Sequence, residues 1–305
     1  MPVTYSIVAR DPRTGELGVA VQSHYFQVGP AVPWARAGVG AVATQSLANI
    51  SYGPVGLNLM QGGYSAEQAL RAVTSGDEHP EIRQCAMVDA AGRAAAHTGA
   101  ACIPEAGHLV GDGFSCQANL MERDTVWAAM ARTFESTDGP LAERLLAALD
   151  AAEAEGGDIR GRQSAALLVV SGNPTGKSWE DRVYDLRVED SPEPLHELRR
   201  LYRIRQAYLA NGEAERFEEV GDAEKAKAAR LRALDLAPEN LELRYWAGMA
   251  LCRAGEVREG ALLVAEVVRA DPRWDRLIDH LVRAQRMTAE QAEMLRALLV
   301  AAEAK

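Results

Sequence analysis

Thr4-Tyr5-Ser6-Ile7-Val8-Ala9-Arg10-Asp11-Pro12-Arg13-Thr14-Gly15-Glu16-Leu17-Gly18-Val19-Ala20-Val21-Gln22-Ser23 opens the chain with two β-type runs around a turn. Tyr5–Arg10 and Leu17–Ser23 are rich in β-branched and aromatic residues, and Asp11 to Gly15 has hairpin-turn chemistry. An antiparallel pair at the start predicts a sheet built from hairpins. Downstream, Val39–Ser46 is a further strand candidate, and Ile82–Asp89 with Arg93–Thr98 forms a second hairpin. Gly113–Asn119 is a short strand, and Ser164–Ser171 with Arg182–Val188 is a last hairpin. Helices are expected at Pro54–Gly62, from Ser65, over Glu122–Glu135 and over Pro140–Glu155. Ser65-Ala66-Glu67-Gln68 fits a capping box. Hairpins alternating with helix pairs predict an α+β fold in which helices cover antiparallel sheet.

The composition changes at Asp190. Residues 1–190 hold 14 basic and 23 acidic side chains and 21 of the 26 glycines, whereas residues 191–305 hold 19 basic, 20 acidic and 5 glycines. Glycine suits turns and close backbone approaches, and dense mixed charge suits solvated helix faces. Two domains are therefore expected, 1–190 and 191–305. The second repeats: Gly221 to Gly255 and Pro238 to Pro272 are both spaced by 34 residues, the period of tetratricopeptide-like helical hairpins. Two visible copies are few for an independent solenoid, so the array is expected to lean on the first domain, on a protein partner or on a second copy in a homo-oligomer. Tyr245, Trp246 and Trp274 are read as interior packing in preference to a peptide-binding face.

A net charge of −10 argues against nucleic acid and against a polybasic membrane anchor. No run of about 18 apolar residues marks a membrane span, and the start has neither a charged nor an apolar leader region. Cys85, Cys102, Cys116 and Cys252 show no CxxC spacing, so reduced thiols and a cytoplasmic location are expected. The six histidines form no HxH or HExxH pair, so neither a metal nor a cofactor is expected. Gly172-Asn173-Pro174-Thr175-Gly176-Lys177-Ser178 falls one residue short of a phosphate loop and reads as a hairpin tip.

Uncharged polarity at strand ends is the chemical signal. It comprises Gln22, Ser23 and His24; Thr44 and Gln45 with Asn49 and Tyr52; Gln117 and Asn119; and Gln163 with Ser164. Such groups either satisfy buried backbone or converge on a ligand. Together they predict a neutral hydrogen-bonding pocket suited to a small amide-like substrate.

Six stretches carry a resemblance: the opening Thr4–Asp11 and Gly18–Ser23 runs; Val32-Pro33-Trp34-Ala35-Arg36-Ala37-Gly38-Val39-Gly40-Ala41-Val42-Ala43-Thr44-Gln45 with Ser51-Tyr52-Gly53-Pro54; Gly161-Arg162-Gln163-Ser164-Ala165-Ala166-Leu167-Leu168-Val169-Val170; and Asp185-Leu186-Arg187-Val188. Over about residues 4–200 the chain resembles an uncharacterised bacterial family of the Ntn (N-terminal nucleophile) hydrolase superfamily. The resemblance implies a four-layer αββα sandwich and hydrolysis of a C–N amide bond, with Thr4 as nucleophile and its own α-amine as base. Asn119 or Gln117 would be the oxyanion donor, and Ser23, Thr44, Gln45 and Gln163 would line the pocket. In the resemblance the threonine follows the initiator methionine, but here Met1-Pro2-Val3 precede it. Cleavage at Val3–Thr4 would free the amine. Otherwise Thr4 needs another base, such as His24, or the site binds without turnover. The alternative is thus a catalytically silent binding domain joined to a helical-repeat interaction module.

Overall fold

A computed structural model describes residues 4–303. The chain divides into two compact units, Met1–Leu201 and Tyr202–Lys305. The first is α+β, with ten strands in two antiparallel sheets among the described residues. The strands are β1 (Thr4–Arg10), β2 (Leu17–Ser23), β3 (Pro33–Arg36), β4 (Gly40–Ser46), β5 (Arg83–Asp89), β6 (Ala94–Thr98), β7 (Gly107–Gly111), β8 (Phe114–Ala118), β9 (Ser164–Val170) and β10 (Arg182–Val188). The larger sheet runs β10-β9-β2-β1-β8-β7 and the smaller runs β3-β4-β5-β6.

The opening hairpin forms as the sequence predicts. Its turn is held by Asp11, whose carboxylate accepts from Arg13 N at 2.8 Å, and Gly15 takes a left-handed φ of 75° there. Helices α1 (Tyr52–Gln61) and α2 (Ala66–Ser75) lie against the smaller sheet, and α3 (Val126–Ser136) and α4 (Leu141–Ala154) lie against the larger. The two sheets face each other, with β1 against β4 and β5, and β2 against β3. The expected capping box starts α2: Ser65 accepts from Gln68 N, and the Gln68 side chain accepts from Ser65 N at 2.9 Å. Strands β3 and β7, which the sequence reading omits, are short and border the two sheets. Gly172 to Ser178 lies in the β9–β10 connection, as a hairpin tip.

Strand alternation splits the core. Val8, Val19, Val21, Ala41, Ala43, Ala86 and Val88 meet between the sheets, whereas Val42 and Met87 face α1 and α2 with Leu57 and Leu70.

The boundary between units falls inside α5 (Pro194–Glu219). Beyond it come α6 (Ala223–Leu236), α7 (Leu241–Arg253), α8 (Val257–Ala270), α9 (Arg273–Arg283) and α10 (Ala289–Glu303). Helices α7 and α8 cross closely: a Cβ on Gly248 would come 2.7 Å from Gly260 O, and one on Gly260 would come 2.4 Å from Gly248 O. Tyr245 packs on Trp246 and Trp274, with ring centroids 5.3 and 5.2 Å away, so these aromatics are interior packing. Among the described residues no helix is long and apolar enough to cross a membrane.

Candidate functional site

The hydroxyl of Thr4, the first residue of β1, donates to Ser23 Oγ at 3.1 Å. The two residues are opposite in the β1–β2 register, and both are fully buried. The same end of the sandwich gathers Gln45 at the end of β4, Gln84 at the start of β5, Gln117 in β8 and Asn119 just beyond it, all fully buried.

These carboxamides bond one another and the Thr4 backbone. Gln45 Nε2 donates to Thr4 O at 3.0 Å and to Gln84 Oε1 at 2.7 Å. Asn119 Nδ2 donates to the same Gln84 oxygen at 2.8 Å, and Asn119 N donates to Thr4 O at 3.2 Å. Gln84 Nε2 in turn reaches Ala118 O at 2.8 Å and Thr98 Oγ1 at 2.9 Å. Ser6 donates to Gln45 Oε1 at 2.6 Å, and Gln117 Nε2 donates to Ser6 Oγ and to Ala43 O at 3.2 and 3.0 Å. Burying this many polar groups is unfavourable unless they pair with one another, and here most do. Among the described residues, two acceptors stay without a partner: Gln117 Oε1 and Asn119 Oδ1. The amide hydrogens of both residues already have acceptors, so neither is a free oxyanion donor in this conformation.

Two left-handed residues fix the strand ends that carry the cluster. Ser46 follows Gln45 with φ 68°, and Leu120 follows Asn119 with φ 54°. Non-glycine residues hold such angles only where their surroundings impose them.

Pleating separates the remaining sequence candidates. Gln22 lies opposite Tyr5, whose hydroxyl donates to Glu153 of α4 at 2.6 Å, so Gln22 points to the helix side of its sheet and away from Thr4. Among the described residues both atoms of its buried amide lack a partner. Thr44 likewise faces the helices and donates to Asn49 O at 3.1 Å. Asn49 and Tyr52 join a different group, donating to Asp77 Oδ2 at 2.8 and 2.9 Å, where Arg83 Nε also donates at 3.0 Å. Burial alone would raise the Asp77 pKa, but hydrogen bonds from Arg83, Asn49, His79 N and Tyr52 outweigh it and hold the carboxyl below its ordinary range.

His24 is not at the Thr4 hydroxyl. Its Nδ1 stands 3.3 Å from Arg162 O, and its backbone N–H donates to Asp158 at 3.2 Å. Ser164, opposite Ser23, serves the loop after β2, accepting from Val28 N at 3.1 Å and donating to Tyr25 O at 2.5 Å. Gln163 binds Asp190 at 3.1 Å on the surface. The structure thus brings together Thr4, Ser23, Gln45, Gln117 and Asn119, and adds Ser6 and Gln84. Gln84 shares the face of Ala86 and Val88, and that spacing is the signal that could have found it. Among the described residues no group of three or more His, Cys, Asp or Glu is placed to hold a metal.

Comparison with known proteins adds family and fold. The model of a family of unknown function, DUF1028, matches residues 4–198. A crystal structure of protein SPO2555 from Silicibacter pomeroyi, which carries the same family model, is 32% identical with a TM-score of 0.60, over 66% of this chain and 84% of that one. Anbu, an ancestral beta-subunit from Yersinia bercovieri, is 16% identical with a TM-score of 0.32, over 65% of this chain and 93% of that one. No curated protein matches the chain. Residues 4–198, with Thr4 at their head and the carboxamide cluster around it, make this chain a member of DUF1028, a family of unknown function.

Proposed function

We propose that the first unit is an Ntn-type amidohydrolase that cleaves the C–N bond of a small, neutral, non-peptide amide. One observation carries this reading: Thr4 stands at the head of β1, its hydroxyl bonded to Ser23 and its carbonyl clamped by Asn119 and Gln45. The order of packing, helix pair, sheet, sheet and helix pair, supports it as the αββα layering of that superfamily. In the proposed reaction the α-amine of Thr4, freed by cleavage after Val3, takes the hydroxyl proton while Oγ1 attacks the amide carbonyl. The C–N bond breaks, the amine leaves with that proton, and water then hydrolyses the acyl ester on Thr4. Asn119 and Gln117 act here by fixing the head of β1, since their amide hydrogens are taken. The charge of −9 on residues 1–190 disfavours highly anionic substrates.

Intact-mass analysis tests the reading. A mass beginning at Thr4, labelling by a β-lactone probe, and loss of both label and turnover in a folded Thr4→Ala variant are the expected results. A mass that retains residues before Thr4, without labelling, sinks the self-activated mechanism.

Complete burial of Thr4, with hydroxyl and carbonyl both bonded inside the protein, favours a second reading: a silent binding domain joined to a helical interaction module. The second unit suits that role as tetratricopeptide-like hairpins. Ala214 and Ala226, 34 residues before Gly248 and Gly260, are buried as their counterparts are. A metabolite screen of wild type beside Thr4→Ala separates the two: turnover lost in the variant supports the enzyme, and equal binding by both without turnover supports the silent domain.

A further inference from the structure

The second unit holds a cleft of about 300 Å³ between the end of α7, the start of α8 and the turn into α10. That volume is at the lower end for small-molecule sites, roughly 300–1,000 Å³. Met249, Met287, Met294 and Leu295 supply its apolar wall. Thioether side chains are unbranched and adaptable, and suit a flexible chain better than a rigid ring. Met294 is 57% exposed, a large apolar side chain left in water at the cleft.

Arg253 and Arg286 line the same cleft. The Arg286 guanidinium has no ion-pair or side-chain hydrogen-bond partner among the described residues. Arg253 meets Glu218 at 2.9 Å, but that carboxylate also serves the buried Arg230 at 3.3 Å. Positive charge therefore exceeds negative charge beside an apolar wall. Arg286 is exposed at the rim, so a purely apolar occupant would leave its guanidinium unused in water, and a compact polyanion would leave the thioethers in water.

We infer that this cleft binds a linear acyl monocarboxylate, with its chain along Met249, Met287 and Met294 and its carboxylate on Arg286 beside Arg253. Guanidinium–carboxylate pairing supplies a charge-assisted, planar contact, and chain burial supplies the apolar part. The inference is independent of any chemistry at Thr4.

Cys252 provides the test. It lines the cleft and is half-buried, whereas Cys85, Cys102 and Cys116 are buried. The full chain is titrated with sodium decanoate by calorimetry, and maleimide labelling of Cys252 is followed in parallel. Saturable one-to-one binding that slows Cys252 labelling at least tenfold is expected. Arg286→Gln, with an unchanged melting curve, is expected to weaken decanoate at least tenfold, and decyltrimethylammonium is expected to give no protection. Equal protection by decanol or by the cation, unchanged binding in Arg286→Gln, or absence of saturable binding overturns the inference. Labelling that slows with protein concentration alone also overturns it, because a second copy would then cover the cleft.

Discussion

The hydroxyl of Ser6 donates to Gln45 Oε1 at 2.6 Å and so ties β1 of one sheet to β4 of the other. Gln45 is the hub of the buried cluster, since its amide nitrogen also holds Thr4 O and Gln84. Gln45→Leu leaves the Ser6 hydroxyl proton without its acceptor and takes one donor each from the Gln84 oxygen and Thr4 O, which both keep Asn119. Each buried polar group left unpaired costs about 1–3 kcal/mol, so a loss on the order of 3 kcal/mol is expected. Urea denaturation should show a lower midpoint with an unchanged slope.

If Thr4 is the nucleophile, Ser23 is the first group its hydroxyl meets. Ser23→Ala should then lower kcat by about 10²-fold, the size of loss that a misplaced reacting group gives, with little change in KM, because Ser23 orients the Thr4 hydroxyl whose proton the α-amine takes. Unaltered turnover would remove Ser23 from the mechanism.

Asp77 makes stability depend on pH. Its carboxyl is held below the ordinary range in the folded protein, so its contribution is complete above the unfolded value of about 4 and fades as pH falls below it. Asp77→Asn is expected to cost about 2 kcal/mol at neutral pH, as charge-assisted bonds to Arg83, Asn49 and Tyr52 weaken. Between about pH 4 and pH 2 the wild type should lose stability towards the variant, and denaturation at several pH values would show the two curves converging.

Two glycines in the helical region should respond with opposite signs. Gly248→Ala pushes a methyl group against the Gly260 carbonyl and should destabilise by about 1–3 kcal/mol. Gly212 lies inside α5, and a methyl group added there would meet nothing within 4 Å. Its replacement by Ala should therefore gain about 0.5–1 kcal/mol. Thermal melts of the two variants give the comparison directly.

Elements with strong local chemistry are legible in the sequence. The reading of Leu17–Ser23 and Arg182–Val188 agrees with β2 and β10 to the residue, and the Ser65 capping box starts α2. Helix α3 begins at Val126, four residues after the expected Glu122, because Met121 and Glu122 are held extended against the next connection, Met121 in a bridge to Asp158 and Glu122 N donating to Gly157 O. Strand β7 escapes a pattern-based reading because Gly107-His108-Leu109-Val110-Gly111 is short and flanked by glycine. Site composition is harder to read. Polar residues that are neighbours along the chain look like one group, but a strand sends Gln22 and Ser23 to opposite faces, and Thr44 and Gln45 likewise. Gln84 stands between Arg83 and Cys85 at the head of an apolar strand, so only its alternation with Ala86 and Val88 marks it in the sequence, and its register with Gln45 places it in the cluster.

The clamp on Thr4 acts on its main chain: Asn119 N and Gln45 Nε2 both hold the carbonyl oxygen. A residue gripped by its backbone keeps its place when a side chain of similar size replaces its own. Position 4 is therefore a socket into which serine or cysteine can be fitted without redesigning the surrounding sheets.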